Sequence, residues 1–209
     1  VVDGLDGSGK STVARWIKEH YEARGDTVYV QAHPSDRRAG RISRRALQDR
    51  GPIMFLTSIA FYVIDVLISV SKIRSEFRKY DDVVFVRYLM GTAYLPKRLA
   101  RQGYDVFAKV LPVPDRLLLV DIDPEKALCR IACRDDREEM FENLPSLNKC
   151  REKLLMLSDG WSVLDNNSDE TVTRRRLEEQ LEAWDRKLGV PGSGPGSGSA
   201  AAENGLTSG

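Results

Sequence analysis

The run Gly4-Leu5-Asp6-Gly7-Ser8-Gly9-Lys10-Ser11-Thr12 constrains the fold of this chain more than any other stretch. Gly4, Gly9, Lys10 and Ser11 stand at the fixed positions of the phosphate-binding pattern G-x-x-x-x-G-K-[ST]. Such a loop works between the end of a strand and the first turn of a helix, where freed amides and the helix dipole face an anion. The flanks meet that requirement: Val1-Val2 ends an apolar strand, and Thr12 to Tyr21 has amphipathic helical spacing. Glycines at 4, 7 and 9 keep Cβ atoms out of the way of a bulky phosphate, so their N–H groups can form a nest. ATP is the expected ligand, with Gly4, Asp6, Gly7, Ser8, Gly9, Lys10, Ser11 and Thr12 around it. Lys10 is expected to reach the β- and γ-phosphates, and the Ser11 hydroxyl to take a Mg²⁺ position.

A chain of 209 residues can bury one sizeable core. Its net charge of +1 is spread in both signs, so no basic face points to nucleic acid. Three cysteines form no C-x-x-C pair and only two histidines are present, which argues against zinc and for reduced thiols in a cytoplasmic protein. The chain starts two residues before Asp3, too late for a full first strand, so a missing N-terminal segment is expected.

Strand and helix signals then alternate. A helix is expected from Lys10 to Ala23, a strand over 27–32, and a basic helix from Arg37 to Arg50 closed by Gly51-Pro52. Strands are expected at 83–86, 116–122 and 161–165. Asp123-Pro124 should open a helix to about Arg134, with Asp123 as an acid cap. A further helix should end near Ser158, and Asn166 to Asp169 should cap a last one from Glu170 to Leu188. This order implies an α/β fold of three layers, a P-loop NTPase fold with a central parallel five-stranded sheet flanked by helices. Residues 1–188 form that domain; 189–209, rich in Gly, Ser and Pro, are expected to be a disordered tail.

Ile53 to Val70 is apolar over a length that could span a bilayer. Asp65, Thr57 and Ser58, and its place between two strands of one α/β unit, argue instead for a helix buried on all sides, in the core or in a dimer seam. No membrane is expected, and a homodimer is.

Phosphoryl transfer is mostly positioning plus electrostatics, so arginines are informative. Arg87 follows a central strand, where α/β sheets place ligands. Arg130 and Arg134 share a helical face, and Arg137 follows.

With these features in place, the chain resembles the thymidylate kinase family from Val1 to about Leu188. Asp3 to Thr12 looks like that family's loop, and the resemblance places Asp6 near the acceptor sugar. Arg87-Tyr88, with Gly91 to Tyr94, resembles its D-R-Y…A-Y segment, whose arginine grips the acceptor phosphate. Val120 to Ile131 resembles L-D-x-x-P-E-x-A-L-x-R-I, residues 134–137 the lid, and 161–165 the strand before the adenine-contacting loop. Phe55 resembles the phenylalanine that stacks on thymine. The resemblance implies a kinase that phosphorylates dTMP to dTDP with Mg-ATP, in which Lys10, Arg87, Arg134 and Arg137 are catalytic and Asp6, Phe55, Arg87 and Tyr94 bind the acceptor.

The chain departs from the family pattern on the acceptor side. Val86 stands where the family has an acid that helps hold Mg²⁺, leaving Ser11, the phosphates and Asp121 or Asp3 to do so. Ala32 to Asp36 replaces R-E-P-G-G, Ile59 or a neighbour replaces an arginine, and Gly91 and Leu95 replace Ser and Gln. A P-loop kinase with a different nucleoside or small phosphorylated acceptor, and a nucleotide-binding interaction module without transfer, therefore stay open beside the dTMP reading.

Overall fold

The computed structural model describes residues 1–48, 52–73, 75, 77–133 and 143–189. Arg134, Arg137 and the expected tail beyond Gly189 lie outside them. Five strands, β1 (Val2–Gly4), β2 (Val28–Ala32), β3 (Asp82–Val86), β4 (Leu118–Asp121) and β5 (Ser162–Asp165), form one sheet in the order β2-β3-β1-β4-β5. Each pairing is parallel, as the alternation of strands and helices implies. The helices are α1 (Lys10–Glu22), α2 (Arg38–Gln48), α3 (Pro52–Ile73), α4 (Lys97–Val110), α5 (Pro124–Ala132), α6 (Leu144–Leu157) and α7 (Glu170–Leu188).

The strands are apolar on both sides because both faces of the sheet are covered. Successive side chains alternate between two cores. Val84, Val86, Leu118 and Val120 pack with Val13, Ile17, Leu177 and Leu181 of α1 and α7. Phe85 and Leu119 pack with Val66 of α3 and with Leu147, Leu154 and Leu157 of α6. Each fully buried leucine contributes about 1.5–3 kcal/mol relative to exposure. A buried polar clamp ties α1 to α7. Asp185 takes Tyr21 Oη at 3.1 Å and Arg116 Nη2 at 3.0 Å, and also pairs with Arg24. β4 runs from Leu118 to Asp121, shorter than the expected 116–122.

Asp169 caps α7 by accepting from Val172 N at 3.0 Å, as its sequence position implies. The corresponding expectation for Asp123 fails. It occupies the position before α5, but its side chain makes no cap bond and instead meets Arg151 Nη1 at 3.0 Å.

α3 meets the expectation of core burial on one side only. It is not buried on all sides: Ile53, Ile64 and Leu67 are 71%, 45% and 44% exposed. Asp65, Val66 and Ser69 on another side are fully buried. The helix carries two kinds of apolar face, one packed and one open, which uniform hydropathy cannot distinguish. Asp65 is accommodated by partners from the segment after β2. Ser35 donates from N at 2.6 Å and from Oγ at 2.5 Å, and the Arg37 guanidinium lies 3.7 Å away. Arg37 also reaches Ser69 Oγ and Gln31 Oε1 at 2.7 and 2.8 Å, so the β2–α2 connection is pinned against α3.

Candidate active site

The loop after β1 closes on itself before any ligand is considered. Gly4, Gly7 and Gly9 all have positive φ, and a Cβ on Gly7 would sit 2.5 Å from the carbonyl of Ala127. A Cβ on Gly9 would meet the Asn166 amide at 2.7 Å and Arg130 Nη1 at 3.6 Å. The lip of the nest is therefore formed by α5 and by the turn after β5. Asn166 Nδ2 donates to Ser8 O at 2.7 Å, and Arg130 leans on Asn166 O at 3.4 Å. The Ser8 hydroxyl is fully buried and has no hydrogen-bond partner among the described residues. It lies on the inner side of the loop, where a Cβ on Gly4 would meet it at 2.8 Å beside the Val120 carbonyl.

Gly9 precedes α1 without a side chain to cap it, so the first amides of that helix are left to a ligand. Ser11 lies exposed in this first turn, with Thr12 half-buried behind it. Lys10 is buried and folds back, donating from Nζ to Leu5 O at 2.5 Å, with Asp6 Oδ1 at 3.8 Å. Burial above all, and then Arg87, pushes its pKa down to about 8, while Asp6 and Asp3 oppose the fall.

Parallel pairing of β1 with β3 brings the second cluster to the same end of the sheet. Val2 is in register with Val86, and Arg87 N donates to Val2 O at 3.1 Å. Arg87 has φ 57, a left-handed conformation rare for a side chain of its size. Its guanidinium is ion-paired with Asp6. Tyr94 donates its hydroxyl to the other Asp6 oxygen at 2.5 Å. Burial and the Asp6 charge push the Tyr94 pKa well above 10, so it remains a donor.

Beside this cluster opens a pocket with mostly apolar walls. Phe55, Ile59, Tyr62 and Val63 of α3 line it, with Met90, Leu95 and Phe107 opposite and Asp6, Arg87 and Thr92 at the polar end. Phe55, Asp6, Arg87 and Tyr94, expected on the acceptor side, thus border one cavity. Arg130 is separated from them and belongs to the lip of the phosphate nest.

The two acids considered for Mg²⁺ in place of Val86 are otherwise engaged. Asp3 Oδ2 accepts from the amides of Tyr88, Leu89 and Met90 at 3.1, 3.1 and 3.2 Å, fixing the segment that follows Arg87. Burial nonetheless raises its pKa, against the pull of those amides and of Lys10. Asp121 is held by a two-pronged contact with Arg151 at 2.8 and 2.7 Å. Val86 itself packs in the core with Val2, Val84 and Val120. Of the protein groups considered for the metal, Ser11 is the one left facing out. Among the described residues no group of three or more His, Cys, Asp or Glu side chains gathers as a metal site.

Two residues of the site are not marked as such by the sequence. Asn166 carries only a turn signal. Tyr62 lies seven residues after Phe55, a spacing that places both on one helical face, but the uniform apolarity of α3 hid which face lines the pocket. His33 is buried against Phe85 and Ser69, 2.8 Å from Ser69 Oγ, and burial pushes its pKa down to about 4.

The thymidylate kinase family model matches residues 2–176. A thymidylate kinase of Xanthomonas euvesicatoria pv. vesicatoria is 28% identical over 198 residues, covering 87% of this chain and 82% of the relative. A probable thymidylate kinase 1 of Saccharolobus solfataricus is 29% identical over 193 residues, covering 90% and 96%. The solved structure of thymidylate kinase from Candida albicans superposes with a TM-score of 0.69 at 16% identity, over 90% of this chain and 91% of that one, and shares the fold.

Proposed function

The chain belongs to the thymidylate kinase family, and from that premise we propose that it transfers the γ-phosphoryl group of ATP to dTMP, giving dTDP and ADP. The observation that carries this reading is the meeting of two half-sites at one end of the sheet. The glycine nest with Lys10 lies on one side, and the Arg87–Asp6–Tyr94 cluster with its apolar pocket on the other.

ATP and Mg²⁺ fit the residues present. The glycine loop, whose backbone closes at positive φ on Val120, Ala127 and Asn166, and the uncapped first turn of α1 suit a phosphate chain. The exposed Ser11 hydroxyl suits a hard cation that keeps most of its ligands as water and phosphate oxygen. Mg²⁺ bound with the donor supplies charge neutralisation at the transferring group.

The chain's own residues do the rest. Lys10 exchanges its contact with the Leu5 carbonyl for phosphate oxygen. Arg87 holds the acceptor phosphate, Asp6 orients Arg87, and Phe55 stacks on the base. An acceptor phosphate oxygen attacks the γ-phosphorus as the bond to the β-bridging oxygen breaks. The attacking acceptor oxygen is already anionic near neutral pH, so no general base is required. Arg130 contacts the donor at the lip of the nest, and Arg134 and Arg137 close over the reacting groups as a lid that excludes water.

Residues 1–188 act as the catalytic domain, with 189–209 as a tail, in the cytoplasm. The open apolar face of α3, where Ile53, Ile64 and Leu67 line one side of the helix, supports a homodimer seam there.

Turnover of labelled ATP with dTMP against a panel of nucleosides and nucleotides tests the assignment. Product from dTMP supports it; no product from dTMP with turnover of another acceptor overturns it. A different acceptor is the second reading. It is favoured by the departures from the family pattern at Val86, His33 and Gly91, the last of which lines the pocket.

A further inference from the structure

Arg87 keeps an unfavourable backbone conformation, and such residues persist only where their surroundings over-determine them. Its surroundings can be named. Its own N–H is fixed to Val2 O at 3.1 Å, and the amides of the three residues after it converge on Asp3 Oδ2. Its carbonyl receives the Tyr62 hydroxyl from α3 at 2.8 Å. Tyr62 is the single contact among these that comes from outside the sheet and its loops, and it comes from the helix that carries Phe55 and Ile59.

The ring of Tyr62 needs room, and Gly91 provides it. A Cβ at position 91 would lie 2.7 Å from the Tyr62 hydroxyl oxygen and 2.8 Å from two ring carbons, closer than real Cβ atoms approach. Gly91 and Tyr62 both line the pocket. The absence of a side chain at 91 is therefore the counterpart of a large one at 62.

We infer that Tyr62 is a positioning residue for the acceptor: its hydroxyl holds the Arg87 carbonyl so that the guanidinium points at Asp6 and the pocket, and Gly91 is required to admit its ring. This rests on the reading of Arg87 as the acceptor-phosphate ligand. Burial pushes the Tyr62 pKa well above the ordinary 10, so the hydroxyl stays a donor throughout the working range. Tyr62 touches no reacting atom; it acts through Arg87.

The test uses the full chain with dTMP and Mg-ATP. Tyr62→Phe keeps the ring and removes one hydrogen bond. It is expected to raise the KM for the acceptor about 3- to 10-fold, the worth of one such bond, with the KM for ATP unchanged. A merely structural tyrosine would lower the melting temperature and leave the ratio of the two KM values alone.

Gly91→Ala is expected to raise the acceptor KM more than Tyr62→Phe does. In a Tyr62→Ala background the same Gly91→Ala change is expected to have little further effect, because the clash has been removed. An unchanged acceptor KM in Tyr62→Phe, or additive losses in the Tyr62→Ala/Gly91→Ala pair, overturns the inference. Both outcomes are read against a wild-type chain that turns over. A wild type inactive with every nucleoside monophosphate defeats the substrate reading and this inference together, whereas an active wild type with a normal Tyr62→Phe defeats this inference alone.

Discussion

Arg87 and Asp6 are 81 residues apart in the chain and form an ion pair between the segment after β3 and the phosphate loop after β1. The pair joins the pocket beside α3 to the glycine loop, because Asp6 also receives Tyr94 and lies 3.8 Å from the Lys10 ammonium. Asp6 is 4% exposed, so its charge depends on these partners.

Arg87→Ala is expected to lower kcat/KM for dTMP by about 10²–10³, the usual cost of removing one positioned charge donor. Arg87→Lys keeps the charge but loses the planar fork, and should recover only part of the loss. Steady-state kinetics with dTMP varied at saturating ATP measures both. Wild-type kcat/KM in Arg87→Ala would remove this residue from the site.

Lys10 gives a pH signature. Its pKa in the folded chain is about 8, below the ordinary 10.5. Between these values the unfolded chain binds a proton that the folded chain does not, so this group's contribution to stability rises with pH through that window and is flat below it. Phosphate beside the ammonium raises the folded pKa again. ATP binding at pH 8 should therefore take up about half a proton at this residue. Calorimetry in two buffers of different ionisation enthalpy measures the uptake, and Lys10→Ala should abolish it. Equal uptake in that variant would assign the proton elsewhere.

On the proposed function the metal falls to Ser11, since Asp3 serves three amides and Asp121 serves Arg151. Ser11→Ala should raise the Mg²⁺ concentration needed for half-maximal turnover by about tenfold or more. Chelation should stop turnover without shifting the melting temperature of the nucleotide-free chain. A Mg²⁺ titration unaffected by the substitution would show that the hydroxyl is not a ligand.

Asp65 is fully buried in α3 and is satisfied by Ser35 and Arg37 from the connection after β2. Asp65→Ala strands those groups and should cost about 3 kcal/mol in urea unfolding. Asp65→Asn retains a hydrogen-bond acceptor and should cost less. A loss under about 0.5 kcal/mol, the ordinary range for surface changes, would mean that the pair does not hold the helix.

Leu67 and Ile64 lie on the open face of α3. Leu67→Glu should convert a dimer to a monomer in sedimentation, because a desolvated carboxylate in an apolar seam has no partner there. A wild-type chain that sediments as a monomer would count against the seam outright.

The phosphate loop was legible in the sequence because its function is local. Residues 4–12 are contiguous, and their glycine positions followed by Lys and Ser form a local pattern, although the loop they make is buttressed by Ala127 and Asn166 from far along the chain. The order of strands and helices was legible for the same reason, each element carrying its own period and stop signals. The faces of α3 were not, because a helix apolar all round has no stripe to read. Nor could the sequence tell that Asp3 and Asp121 are engaged elsewhere, or that Tyr62 fills the space left by Gly91. Those facts follow from the register of β1 against β3, from Arg151 of α6 reaching the end of β4, and from how α3 lies over the sheet, and such packing is a property of surfaces brought together, which no single segment encodes.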